Sequence, residues 1–281
     1  MHDNGPMLPP RLVFSDMDWT FLAEDKSVPA GNAEALDLLA QRSIGFVPCT
    51  GRAWAVVPRE LVSHPCVRYA IVSNGAMVMD VRSGKAIRSQ LVGEERARAL
   101  FGRVRDVDCT FDLFPGGGSR SNRERFLQIL DFDVDKPNLE WLLQSRALFD
   151  ESTEEIMAAH PLIEKVTMYF RGPEERSAII AAVEEDPSLV WTTSHPKNIE
   201  VMDRDATKGV ALAWLCAHEG VDVAASVAFG DSLNDLSMIL AAGDGVAMCN
   251  AEPEVRAAAD HVTRLDNSHA GVGDYLRLLL S

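Results

Sequence analysis

Short apolar runs alternate with amphipathic stretches through the first third of the chain. Residues 11–15 carry Leu12, Val13 and Phe14 and break into polar residues at Asp16, which predicts a buried strand. Residues 31–42 place Ala35, Leu36, Leu38 and Leu39 on one helical stripe, residues 44–49 read as a strand, and residues 53–62 as a helix. Residues 69–73 form a third apolar strand ending at Asn74-Gly75. The pattern resumes near the end, with a helix over 207–219, a buried strand over 226–229 closed by Gly230-Asp231, and a helix over 233–241. A strand follows at 245–248, then a helix from Pro253, a favoured first-turn residue. Strands alternating with helices of this length predict parallel βαβ units.

The middle of the chain breaks the alternation. Residues 77–88 read as a hairpin turning at Ser83-Gly84, and strands over 165–170 and 189–193 flank a helix over 173–185. The run Gly116-Gly117-Gly118-Ser119 lacks the strand, spacing and helix of a phosphate loop and reads as a flexible turn. The expectation is an α/β fold: a Rossmann-like, doubly wound parallel-sheet core over residues 1–83 and 204–281, with an inserted α+β domain over 84–203.

Composition narrows the function classes. Of 281 residues 47% are apolar, ample for a buried core, yet no run approaches the roughly 18 apolar residues that span a bilayer. The first ten residues lack a basic region followed by an apolar one, so no signal peptide is expected. The balance of 27 Lys+Arg against 42 Asp+Glu gives −15, which repels nucleic acid and anionic membranes. Five scattered cysteines with no C-x-x-C pair predict neither disulfides nor zinc, and suit a reducing cytoplasm.

Two acidic segments sit at strand exits. Asp16 and Asp18 follow the first strand at i, i+2 spacing, which sends both carboxylates to one side if the chain stays extended. Asp231, Asn234 and Asp235 follow the strand over 226–229. Ligand sites in open α/β sheets gather at the carboxyl ends of strands, so the two segments are expected to converge. An oxygen-rich cluster of this kind suits magnesium. Asp, Ser, Thr and Asn after a strand are also ordinary turn and cap residues, a reading that weakens once both segments are taken together. Thr50-Gly51-Arg52 ends a strand with a hydroxyl, a glycine and a guanidinium suited to phosphate oxygens. Lys208 opens a helix, where the dipole disfavours a cation unless it has a specific partner.

These segments, in order, resemble the motifs of the haloacid dehalogenase superfamily, Cof-type subfamily with a large α/β cap. Asp16-Met17-Asp18-Trp19-Thr20 resembles D-x-D-x-T, Thr50-Gly51-Arg52 the second motif, Lys208-Gly209 the third, and Gly230-Asp231-Ser232-Leu233-Asn234-Asp235 the fourth. Residues 73–76, 198–201, 246–251 and 259–263 are also similar to that subfamily. The resemblance implies a magnesium-dependent phosphatase of small phosphorylated metabolites, such as sugar phosphates, that works through an aspartyl-phosphate on Asp16. Asp18 is then the acid–base, Thr50, Gly51, Lys208 and Asn234 hold phosphate, and Asp16, the Asp18 carbonyl, Asp231 and Asp235 face Mg2+. The inserted cap chooses the substrate.

The family most often has glycine where this chain has Trp19. An indole there narrows the entrance, stacks on the leaving group or packs beneath the cap. Arg52 and Asn198 are further candidates for substrate contact, and His195 reads as structural or exposed. Trp141 and Trp191 read as packing. Two other readings stay open on sequence alone: a phosphomutase of hexose phosphates, which returns the phosphoryl group to its substrate, and a non-catalytic metabolite-binding relative.

Overall fold

The computed structural model describes residues 8–281, so most of the N-terminal stretch read for a signal peptide lies outside the described residues. The chain divides into two compact units. One comprises the chain up to Gly51, Pro58–Arg88 and Thr207–Ser281, and the other Arg52–Val57 and Ser89–Ala206. Among the described residues no helix is long and apolar enough to cross a membrane.

The first unit is built on a five-stranded parallel sheet in the order His261–Val262, Asp244–Ala247, Ser226–Gly230, Leu12–Ser15, Gly45–Pro48. Strands Leu12–Ser15 and Ser226–Gly230 are buried at every position, as expected of a sheet covered on both faces. The chain runs outward from Leu12–Ser15 to Gly45–Pro48, then much later returns to its other side at Ser226–Gly230. This reversal of strand order opens a crevice at the carboxyl ends. Register sets Ser15 level with both Phe229 and Pro48, so Asp16, Gly230-Asp231 and Cys49-Thr50 leave the sheet at one height.

The strand Tyr69–Val72 touches the sheet through one parallel bridge, Cys49 to Ile71, and then turns back as an antiparallel meander with Met77–Asp80 and Lys85–Ser89. The expected hairpin therefore forms, with Gly84 at φ +65°. The expected helix over 53–62 does not form as one piece. A single 3₁₀ turn spans Trp54–Val56, and a short helix, Arg59–Val62, starts only after Pro58. Proline lacks the amide a continuous helix needs and holds its predecessor extended.

The second unit centres on an antiparallel sheet in the order Leu189–Thr192, Asn198–Asp203, Ile163–Tyr169, Asp112–Pro115. One face packs Leu113, Val166, Met168, Ile199 and Val201 against the helices Gly93–Val104 and Pro173–Glu184. Strand alternation sends Asp112, Lys165, Thr167 and Glu200 to the opposite face, where all four are buried. The run 116–119 is a turn, with Gly116 and Gly117 at positive φ.

Candidate active site

Asp16 emerges from its strand with its amide bonded to the Phe229 carbonyl at 2.9 Å. Lys208 is the first residue of the helix Lys208–Glu219, capped by Thr207. The lysine is completely buried, and its Nζ donates to Asp16 Oδ1 and Asp235 Oδ1, both at 2.5 Å. The partners that its unfavourable place at a helix start called for are thus two carboxylates. Burial pulls the Lys208 ammonium down, but Asp16 and Asp235 outweigh it and hold the group above its usual pKa.

Asp231 and Asp235 come from the turn after Ser226–Gly230. Asp235 Oδ2 accepts from the amides of Asp231 and Ser232, at 2.9 and 3.1 Å, which folds the turn around that carboxylate. Asp231 accepts from the Thr20 hydroxyl at 2.5 Å and the Ser232 hydroxyl at 2.7 Å. Asp16, Asp231 and Asp235 each place one carboxylate oxygen within 4.8 Å of the others, and all three are buried.

Three carboxylates face one ammonium. Burial raises Asp16 well above the usual carboxylate range; Lys208 opposes this, and Asp235, Asp231 and Asp18 add to it. Burial, followed by the Asp235 charge, pushes Asp231 up to about 7 against the hydroxyls of Thr20 and Ser232. Such carboxylates are short of positive charge, and an all-oxygen donor set in a buried niche fits a hard divalent cation such as magnesium.

Asp18 takes another direction. The extended conformation that would keep it parallel to Asp16 ends at once, because residues 17–21 wind into a tight turn with Trp19 left-handed at φ 62°. The Asp18 carboxylate is outside the three-aspartate cluster and lies 2.9 Å from Lys26 Nζ. Trp19 is 47% exposed, and its carbonyl accepts from Asn250 Nδ2 at 2.9 Å.

Thr50 is buried, with its amide bonded to the Ile71 carbonyl at 2.9 Å. A Cβ on Gly51 would come within 2.9 Å of Asn74 Oδ1, and the same oxygen accepts from Asn234 Nδ2 at 3.2 Å. Asn74 therefore packs closely on Gly51 and is bonded to Asn234. It was not among the site residues expected from sequence, although the Asn-Gly turn that holds it left-handed at φ 58° was visible. Thr20 and Ser232, which orient Asp231, were likewise absent from that set. Arg52 falls in the second unit and donates to the Val56 carbonyl at 3.5 Å. Asn198, also there, is buried; its Oδ1 accepts from the amides of Ser194 and His195, and its Nδ2 donates to Ser194 Oγ. His195 Nε2 lies 2.9 Å from Asp135 Oδ2. Cys49 is buried and its thiol is pushed far up by burial, so it is no nucleophile.

The sequence of motifs and this geometry meet an independent finding: the model of the haloacid dehalogenase-like hydrolase family matches residues 13–276. The chain belongs to that family. It is similar to YxeH of Bacillus subtilis (strain 168), 30% identical over 92% of this chain and 94% of that protein. It is also similar to "Phosphatase YwpJ" of the same organism, 28% identical over 96% of this chain and all of that one. Among solved structures, a haloacid dehalogenase-like hydrolase from B. subtilis superposes with a TM-score of 0.80 at 26% identity, over 95% of this chain and 99% of that chain. The fold is shared with the HAD subclass IIB sugar phosphatase BT4131, at a TM-score of 0.81 and 21% identity over 95% and 98%. The expected family and α/β fold are borne out, and the relatives' names bear out a hydrolase of the phosphatase type.

Proposed function

We propose that this hydrolase is a magnesium-dependent phosphatase that cleaves small phosphorylated metabolites, of the sugar-phosphate kind, through an aspartyl-phosphate on Asp16. The observation that carries the reading is the buried set of Asp16, Asp231 and Asp235 around Lys208 at the carboxyl ends of the parallel strands. Lys208, donating to Asp16 Oδ1, orients the nucleophile so that its other oxygen meets phosphorus in line. The same ammonium, with the Thr50 hydroxyl, the Gly51 amide and Asn234, lies among the groups able to hold phosphoryl oxygens as charge spreads over them.

Asp18 gives its proton to the leaving alkoxide, and as a carboxylate it then takes one from the water that attacks the aspartyl-phosphate. Asp16, Asp231 and the Asp18 carbonyl would hold magnesium, with Asp235 in direct contact or through water. The ion would supply positive charge that relieves the carboxylates and admits a dianionic phosphate. Asp235, with one oxygen on Lys208 and the other on two amides, acts mainly as the frame that fixes Lys208 and the 231–235 turn. The inserted unit is read as the cap that selects the leaving group. The negative excess of the whole chain makes the protein a poor host for polyanions but not for a small phosphate, since screening confines local fields to about 8–10 Å. Four buried cysteines and no disulfide support a reducing, cytoplasmic setting.

The test is phosphate release from a panel of phosphorylated metabolites by the purified protein, with EDTA and then magnesium added. The expected result is turnover of small phosphomonoesters that chelation abolishes and magnesium restores. Product isomers that keep their phosphate would instead identify a mutase.

A further inference from the structure

The turn Ser73–Gly75, which ends the strand Tyr69–Val72, holds three consecutive residues at positive φ: Ser73 at 51°, Asn74 at 58° and Gly75 at 102°. The first two are not glycine, and both are buried. Non-glycine residues adopt this conformation at a cost and keep it only where surrounding contacts over-determine it. Here the contacts come from the segments that carry the candidate phosphate holders. The Asn74 amide donates to the Thr50 carbonyl at 3.0 Å. A Cβ on Gly51 would meet Asn74 Oδ1 at 2.9 Å, so glycine leaves room for the Asn74 carboxamide. A Cβ on Gly75 would lie 2.9 Å from the Lys208 amide nitrogen. On its other side Asn74 Oδ1 accepts from Asn234 Nδ2 at 3.2 Å.

We propose that Asn74 is a positioning residue for Asn234: by accepting one N–H of the Asn234 carboxamide, it fixes how the other is offered to a phosphoryl oxygen. The proposal rests on the reading of Asn234 as a phosphate holder and adds what aims it. Asn234 stands half-buried in the short turn Leu233–Asp235, outside the sheet. The torsion that orients a carboxamide is broad and two-fold, so packing alone sets it poorly. Among the described residues Asn74 Oδ1 is the only hydrogen-bond partner of the Asn234 side chain. Turned over, that carboxamide would present its oxygen to a phosphate dianion, which has acceptors only. The bond to Asn74 therefore decides whether the contact attracts or repels. Asn74 can do this because it is itself fixed, by its amide bond to Thr50 and its packing on Gly51. An asparagine also suits a left-handed position better than most side chains. The gain falls on the transition state, where charge gathers on the phosphoryl oxygens and an aimed donor contributes most.

The experiment is a double-mutant cycle of Asn74→Gly and Asn234→Ala, read as phosphate release from the phosphomonoester that the wild type turns over fastest. Glycine keeps the left-handed backbone and removes only the carboxamide, so the melting temperature should move by less than about 4 °C. Asn74→Gly is expected to lower kcat about 10- to 100-fold and to change KM less than about threefold. In the Asn234→Ala background it should cost less than about twofold further. A loss as large in that background as in the wild type, an unchanged kcat, or a rise in KM alone overturns the proposal. If Asn74→Gly does not fold, Asn74→Ser, whose hydroxyl ends one bond short of the carboxamide oxygen, takes its place with the same expectations. A wild-type protein that releases phosphate from no phosphomonoester overturns the phosphatase reading instead. In that event crystals of Asn74→Gly still decide the proposal: an Asn234 carboxamide displaced or turned over supports it, and an unmoved one refutes it.

Discussion

Two of the buried charge clusters of the molecule differ in sign balance. In the parallel-sheet unit Asp16, Asp231 and Asp235 meet the single ammonium of Lys208. On the buried face of the antiparallel sheet, Lys165 pairs with Glu200, which also accepts from the Ser194 hydroxyl, and Arg146 pairs with Asp112 at 3.4 Å. These four side chains form two pairs of opposite charge. Glu200 shows the difference: burial would raise its pKa, but the adjacent Lys165 ammonium outweighs burial and holds it below the usual value. In the first set burial wins, and Asp16 and Asp231 are held up. A buried pair that balances is architecture, whereas a buried excess of one sign marks a place built for an incoming charge.

Substitution should separate the two sets. The largest expected effect is on activity: Asp16→Asn lowers phosphate release by at least about a thousandfold while thermal melting is unchanged or rises, since a disfavoured carboxylate has been removed. In the paired set the effect is on folding. Lys165→Met takes the neutralising ammonium from the buried Glu200 and should destabilise by about 3–5 kcal/mol in urea titration, while Lys165→Met with Glu200→Met recovers most of it. An active-site effect from the first pair of experiments without its folding counterpart in the second would break the comparison.

Acidity gives a finer contrast. Asp231 has a folded pKa near 7, above its unfolded value, so the metal-free fold binds more protons than the unfolded chain between about pH 4 and 7. Its contribution is therefore present at low pH and lost as pH rises through 7, and Asp231→Asn should flatten that fall in the melting temperature. Glu200 is lowered and acts in the opposite sense: its contribution is present above about pH 4.3 and is lost as pH drops through its folded pKa. Melting curves from pH 3 to 8, with and without each substitution, read both signs. The smallest effect belongs to Trp19→Gly. Relief of a left-handed non-glycine position, about 1 kcal/mol, is set against loss of the Lys26 ring contact, about 0.5–1 kcal/mol, so stability should move by less than about 1 kcal/mol in calorimetry.

The contrast also explains what was readable in the sequence. The parallel core was legible because each of its strands is a short apolar run that ends in turn chemistry, and strand ends then imply where Asp16 and Asp231 gather. Lys208 was legible because a cation opening a helix needs a partner. The condition set on the Asp16–Asp18 spacing, an extended chain, is not met: a tight turn starts at Met17, and nothing in the residues 17–21 announces it. The break at Pro58 could have been read from the proline itself. Lys165 and Glu200 lie on neighbouring strands 35 residues apart, and pairing across a sheet leaves no local trace.

Gly75 carries a different consequence. It sits at φ +102°, and a Cβ there would lie 2.3 Å from the Thr207 carbonyl oxygen, while its own carbonyl accepts from Arg88 at 3.2 Å. Arg88 is the last core residue before the long insertion and Thr207 the first after it. The two ends of a long detour are thus stapled at one backbone position, much as a drawer is held by a single pair of runners. Closing such a detour costs entropy that grows slowly with its length, about 0.6 kcal/mol per doubling.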